Sequence, residues 1–289
     1  MSNGSSPIRP ASIWERISRS ESSMAKRLVA SVERVSSVLD KFLEYQGRLI
    51  ASAEKDSNII GLVFAGSAAD HSRVDEYSDQ DFFLIVKDGI GEQYREDLNW
   101  LPNHEQIVIR PRETAHGLKV VYENGDLLEF AVFEDKELEL GAANQYSVPV
   151  DKQDITERMK IIAARSKPKP LDRTTEWELF LSLVLIGVGR YRRGEVIAAE
   201  QHIKSYALDR ALKLIRLASP VDNDRSDFFN SYRRFEFDYP QVGERISRLM
   251  LLDTESCARD LATLVSEQIR TTTQEQKQLE VVSQRLGWV

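Results

Sequence analysis

Between Gly61 and Val86 the chain reads GLVFAGSAADHSRVDEYSDQDFFLIV, two apolar runs separated by a polar segment. Ile59 to Phe64 and Phe82 to Val86 are β-branched and aromatic, too short for ordinary helices, and read as buried strands. The first ends at Gly66-Ser67, where glycine permits close backbone approach to a ligand. Ser67 is a good N-cap, so the free amides of the turn are expected to form an anion site. The second run opens with Asp79-Gln80-Asp81. Side chains alternate along a strand, so Asp79 and Asp81 are expected on one face, roughly 7 Å apart at about 3.3 Å per residue. Gln80, Phe82 and Leu84 are expected on the other.

Two carboxylates that close, at the mouth of an apolar strand, repel each other unless a cation lies between them. Mg²⁺ is the natural candidate, because it takes oxygen ligands and is commonly held by one or two carboxylates plus substrate phosphates. A third acid stands in Gly125 to Phe133, GDLLEFAVF, where Glu129 interrupts a strand between Leu128 and Phe130. The sequence reading buries Glu129, at a cost of several kcal/mol if it has no partner.

The order of strand, Gly-Ser, short helix, Asp-x-Asp strand and later acidic strand resembles the polymerase-beta-like nucleotidyltransferases. Within them it is most similar to the lincosamide and aminoglycoside nucleotidyltransferases. The closest points are DEYSDQDFFLIVKD and the later GRYRRGE followed by an amphipathic helix. The resemblance runs from about Ile59 to the C-terminus and implies an α/β (α+β) fold: a mixed-sheet catalytic domain followed by a C-terminal helical bundle. It implies transfer of a nucleoside monophosphate from a nucleoside triphosphate to a hydroxyl of a small molecule, a lincosamide or aminoglycoside antibiotic, with release of pyrophosphate. Asp79, Asp81 and Glu129 would hold two Mg²⁺ ions, and Gly66 and Ser67 would meet the nucleotide. Glu129 would either ligate the ion nearest the acceptor or take the proton from its hydroxyl, and burial would move its titration toward working pH. In one respect the chain departs from the family. Ala68-Ala69-Asp70-His71 follows the Gly-Ser pair where a basic residue is often found, and Arg73 is the candidate to supply the missing charge.

Asp-x-Asp alone also marks acidic turns at strand entries and sugar-nucleotide glycosyltransferases. Its conjunction with Gly66-Ser67 and Glu129 favours the nucleotidyltransferase. Two rivals differ in class: a nucleotidyltransferase acting on a protein, in toxin-antitoxin or regulatory systems, and a catalytically inactive nucleotide-binding relative, which Asp70 would suit.

The composition limits the partners. A formal net charge of −7 over 289 residues argues against a nucleic-acid or anionic-membrane binder. The single cysteine, Cys257, rules out an intrachain disulfide and favours a reducing compartment; it is expected in a helix core. The polar N-terminus lacks the apolar region of a signal peptide, so a cytoplasmic protein is expected. The four histidines show no zinc spacing.

Along the chain, residues 1–55 are read as a tail and an amphipathic helix over Met24 to Ala53, residues 56–165 as the catalytic domain, and 172–289 as the bundle. The apolar stripe of the first helix, with the resemblance, leads us to expect a homodimer. Strands are expected at Gln106 to Ile109, at Leu118 to Tyr122 and at Gln145 to Val150. Asn124-Gly125 joins the second of these to the Glu129 strand as a hairpin. Helices are expected at Gly91 to Leu101, Ile155 to Ala164, Thr174 to Arg192, Glu195 to Leu217, Phe228 to Tyr232, Val242 to Leu251 and Ser256 to Leu286. The resemblance implies that the bundle closes over the nucleotide, with Arg190, Arg193 and Lys204 as candidate pocket charges and Tyr191 and Trp177 as candidate stacking rings. Solvated helix faces and core packing are the competing readings of these five.

Overall fold

A computed structural model describes residues 37–167, 170–221 and 230–289. They form two compact units that divide between Ser166 and Lys167.

The first unit is built on a six-stranded mixed sheet of order β3-β4-β5-β2-β1-β6. The strands are β1 (Ile59–Ala65), β2 (Gln80–Val86), β3 (Ile107–Ile109), β4 (Gly117–Tyr122), β5 (Leu127–Glu134) and β6 (Tyr146–Asp151). The β4–β5 hairpin forms as its Asn-Gly signal predicts. Strands β2 and β5 run parallel, whereas the remaining neighbours are antiparallel. A parallel pair needs a crossover, and residues 87–126, which include α3 (Gly91–Glu96), β3 and β4, supply it.

One face of the sheet is covered by a helix over residues 37–55 (α1). Phe42, Tyr45, Leu49 and Ala53 of its stripe pack against Leu62, Phe64, Phe82, Leu84 and Phe130. Leu28, Val32 and Val35, also expected in that stripe, lie outside the described residues. Two buried polar contacts fix the helix: the Tyr45 and Tyr122 hydroxyls are 2.9 Å apart, and Gln80 Nε2 donates to the Phe42 carbonyl at 3.1 Å. The other face packs on α4 (Ile155–Arg165) through Ile60, Val63, Ile85 and Phe133 against Ile155, Met159 and Ile162. That cover spans only part of the face. The start of β2, where Asp81 and Phe83 stand, is half open.

The second unit is all helix where it has regular structure: α5 (Arg173–Arg192), α6 (Val196–Gln201), α7 (Leu208–Ala218), α8 (Phe235–Asp238), α9 (Pro240–Leu249), α10 (Thr254–Ile269) and α11 (Thr273–Leu286). A π-helical stretch, His202–Ala207, carries α6 into α7, as the single expected helix over Glu195 to Leu217 requires. The expected helix over Ser256 to Leu286 is instead two. Arg270 turns left-handed at φ 48°, and Thr272 then caps α11 in a capping box with Glu275. The Thr-x-x-Glu spacing is a sequence signal for that start. The expected helix over Phe228 to Tyr232 does not form at 230–232, and its first two residues lie outside the described ones.

Trp177 and Cys257 are fully buried in this unit's core, so Trp177 is a packing residue. Burial pushes the Cys257 thiol up to about 11. Arg190 and Arg193 lie beside Glu195, and Lys204 donates to Glu200, so each of these three cations already faces an acid. Among the described residues no helix is long and apolar enough to cross a membrane.

Candidate active site

The half-open end of the sheet is assembled from β1, β2 and β5. Strand β1 ends at Ala65, and Gly66 reverses the chain with φ +55° into a short helical turn, α2 (Gly66–Ala69). Only glycine adopts that conformation readily. A second constraint acts at the same atom: a Cβ on Gly66 would lie 2.7 Å from Oδ2 of Asp81. Backbone and carboxylate are therefore packed at a distance that any side chain would prevent.

Ser67 does not cap the turn. The N-cap position is Ala65, with no side-chain cap, and the Ser67 hydroxyl instead donates to the Asp79 carbonyl at 3.4 Å. It ties the turn to the carboxylate strand.

The turn is braced from two sides. Gln46 of α1, 4% exposed, donates from Nε2 to the Ala68 carbonyl at 3.0 Å, and its Oε1 is 2.9 Å from His71 Nε2. Arg73 donates from Nη2 to the Gly66 carbonyl at 3.0 Å, and its Nε lies 3.1 Å from Asp70 Oδ2. Asp70 also accepts from the Ser72 amide and hydroxyl. The acidic residue that departs from the family pattern is thus folded into its own turn beside a guanidinium, and Arg73 is engaged with the turn it was expected to supplement.

Strand register does the rest. Asp81 is paired with Glu129 across the parallel β2–β5 ladder, and Glu129 with Lys119 across β5–β4. Three side chains from three strands therefore stand in a row on one face, with Asp79 just outside the start of β2. Asp79, Asp81 and Glu129 each present a carboxylate oxygen, all within 4.8 Å of one another.

Glu129 is not the buried acid expected from its apolar neighbours. Leu128 and Phe130 point to the opposite, buried face, and the Glu129 side chain is 45% exposed with Lys119 Nζ at 3.6 Å. The burial expected for Glu129 is therefore absent. Lys119 had no distinguishing signal in the sequence. It also donates to Glu113 at 2.9 Å, and that bond, with the Glu129 charge adding to it, raises the ammonium above its ordinary range.

The donor set suits a hard divalent cation. It is all oxygen, and two ligands of one Mg²⁺ at about 2.1 Å are separated by at most about 4.2 Å. The carboxylates fit with a small inward movement, or with two ions shared between them.

No protein family model matches the chain, and no curated protein does. Several solved structures are similar over most of its length. An aminoglycoside 6-adenyltransferase from Bacillus subtilis matches at 15% identity, covering 83% of this chain and 96% of that one, with a TM-score of 0.30. A nucleotidyltransferase-like protein from Exiguobacterium sibiricum matches at 13% identity, covering 81% and 76%, with a TM-score of 0.33. The CdnC protein of an Escherichia coli CdnC:HORMA complex matches at 13% identity, covering 81% and 91%, with a TM-score of 0.32.

Proposed function

We propose that this protein is a metal-dependent nucleotidyltransferase, moving a nucleoside monophosphate from a nucleoside triphosphate to a hydroxyl. The observation that carries the reading is the convergence of Asp79, Asp81 and Glu129 within 4.8 Å, directly beneath a glycine turn that leaves no room for a side chain. Three carboxylates in one solvent-facing spot repel each other, and a structural role would not require their convergence.

Asp79 and Asp81 would hold the divalent cations, with Glu129 as the third ligand or as the proton acceptor. When bound, Mg²⁺ would neutralise triphosphate charge and lower the energy of the phosphoryl transfer. Gly66 and Ser67 let the triphosphate lie close to the backbone. The acceptor oxygen attacks the α-phosphorus, forming the new O–P bond as the α–β bridge breaks. Pyrophosphate carries off the electron pair, and the hydroxyl proton passes to Glu129 or to water. Lys119, two strands from Asp81, is placed to offset charge on the phosphates.

The acceptor class follows the resemblance: a small hydroxylated molecule such as a lincosamide or aminoglycoside. The test is incubation of the full chain with each labelled nucleoside triphosphate, Mg²⁺ and a panel of such compounds, read by mass spectrometry. A nucleotidylated small molecule with pyrophosphate supports the reading. Label on a polypeptide would move the acceptor to a protein. No turnover with any acceptor, together with no metal-dependent nucleotide binding, would overturn it.

A further inference from the structure

We propose that Tyr146 donates to the departing pyrophosphate, a substrate contact on the side of Asp81 away from Glu129. The inference rests on the nucleotidyltransferase reading and extends its site to β6. Tyr146 is paired with Ala65 of β1. Ala65 lies one residue beyond the Phe64–Phe82 pair of the antiparallel β1–β2 ladder, which sets it level with Asp81. Asp81 is in turn level with Glu129, and Glu129 with Lys119. One row of residues therefore runs Tyr146, Ala65, Asp81, Glu129, Lys119 across five strands. Tyr146 shares the face of Asp81, since with Phe83 and Ala131 it packs against the core on the side of α4, whereas Ser147 is paired with Phe64, whose side chain belongs to the core beneath α1.

The row has a direction. In an in-line transfer the attacking and leaving oxygens stand on opposite sides of the phosphorus. Glu129, whether it is the third ligand or the proton acceptor, marks the attacking side. With the α-phosphate at Asp81, the leaving side lies over Ala65, beside the Gly66 turn and toward β6. Neighbouring strands are about 4.8 Å apart, so the Tyr146 backbone stands roughly 10 Å from that of Asp81, a span suited to a diphosphate. Ala65 carries only a methyl group, so β1 itself puts no long side chain between them. Lys119, at the other end of the row, then faces the α-phosphate.

The side chain has the chemistry that position needs. Tyr146 is half-buried, and among the described residues its hydroxyl makes no hydrogen bond. The other buried or half-buried tyrosines of this unit all engage theirs: Tyr45 and Tyr122 with each other, Tyr122 also with the Pro102 carbonyl, and Tyr94 with Asp56. Tyr146 thus keeps a phenolic O–H donor in reserve beside the phosphate cradle, and the leaving diphosphate offers acceptor oxygens.

The test is calorimetric titration of the full chain with pyrophosphate in the presence of Mg²⁺, comparing the native chain with Tyr146→Phe, which removes the hydroxyl and keeps the ring. Pyrophosphate binding should weaken about tenfold, the loss of one hydrogen bond to a charged acceptor. Mn²⁺ affinity without the anion, followed by electron paramagnetic resonance, and the melting temperature should both hold, because the hydroxyl bonds to no carboxylate and to nothing in the core. Ser147→Ala, one residue further on and facing the other way, should change none of these. Pyrophosphate affinity left intact by Tyr146→Phe would overturn the assignment while leaving the metal site standing. A matching loss of Mn²⁺ affinity would overturn it too, since the residue would then act through the carboxylates. No metal-dependent pyrophosphate binding by the native chain would count against the nucleotidyltransferase reading and remove this contact with it.

Discussion

Gly66 and Asp81 are packed so closely that a Cβ on the glycine would meet Oδ2 of the aspartate at 2.7 Å. The contact links the end of β1 to the acidic strand, and it makes the glycine a determinant of carboxylate position as well as of chain reversal.

Gly66→Ala is therefore expected to do two kinds of damage. The left-handed backbone, φ +55°, should cost about 1–2 kcal/mol of stability. Displacement of Asp81 should separately weaken Mn²⁺ binding, followed by electron paramagnetic resonance. Unchanged Mn²⁺ affinity in a folded variant would show that the carboxylate does not depend on the glycine.

Asp79→Asn and Asp81→Asn should separate function from stability. Each removes one of three mutually repelling carboxylates, so the metal-free melting temperature should hold or rise. The stabilisation that saturating Mg²⁺ confers should disappear, since a ligand that binds only the native state stabilises by mass action. Nucleotide transfer should fall by at least about 100-fold, the scale on which a transition-state charge partner matters. A metal-induced melting shift that survives both substitutions would remove the metal site.

Lys119→Met should have a smaller effect of distinct sign. Lys119 and Glu129 are 35% and 45% exposed at 3.6 Å, where an ion pair contributes about 0.2–1 kcal/mol. Loss of the ammonium leaves Glu129 a better cation ligand, so Mn²⁺ should bind up to about fivefold more tightly. KM for the nucleoside triphosphate should rise, because a charge facing the phosphates is gone. Weaker Mn²⁺ binding would reverse this assignment.

Gln46→Ala should loosen the turn from behind. The substitution leaves the Ala68 carbonyl unpaired in a buried setting, at about 1–3 kcal/mol by chemical denaturation. Mn²⁺ affinity should change less than in Gly66→Ala, since Gln46 touches the turn and neither carboxylate. Full stability in the variant would mean that the α1 brace carries no weight.

The far end of β5 supplies a pH dependence. Glu134 is held down at about 2 by Lys136 first, then by the backbone amides of Gly89 and Gly91, against an ordinary value of 4.5. Its folded value is depressed, so its contribution to stability is full above about pH 5 and is lost as pH falls from there toward 2. The stability gap between the native chain and Glu134→Gln should accordingly be constant near neutrality and close across that window. A gap that persists at pH 2 would show that charge is not its source.

Local signals in the chain located the strands that carry the site. Short β-branched and aromatic runs located β1 and β2, Asn124-Gly125 marked the hairpin that delivers Glu129, and the Asp-x-Asp spacing at the start of β2 brought Asp79 and Asp81 together. Those inferences need only neighbours within a few residues. Even the break in the last helical stretch was available in Thr272-x-x-Glu275, although its apolar pattern ran on through the break.

What required the tertiary structure was everything set by which strands become neighbours. That β5 lies parallel to β2, with Glu129 level with Asp81, depends on a crossover of residues 87–126, and no local pattern encodes its closure. The same pairing put Lys119 in the row and left Glu129 open to solvent. Alternation assigns Leu128 and Phe130 to one face, but only the packing of α1 on that face and of α4 on part of the other decided which was buried and where the sheet stayed exposed. Periodicity is a property of the chain, whereas coverage of a face is a property of what folds against it.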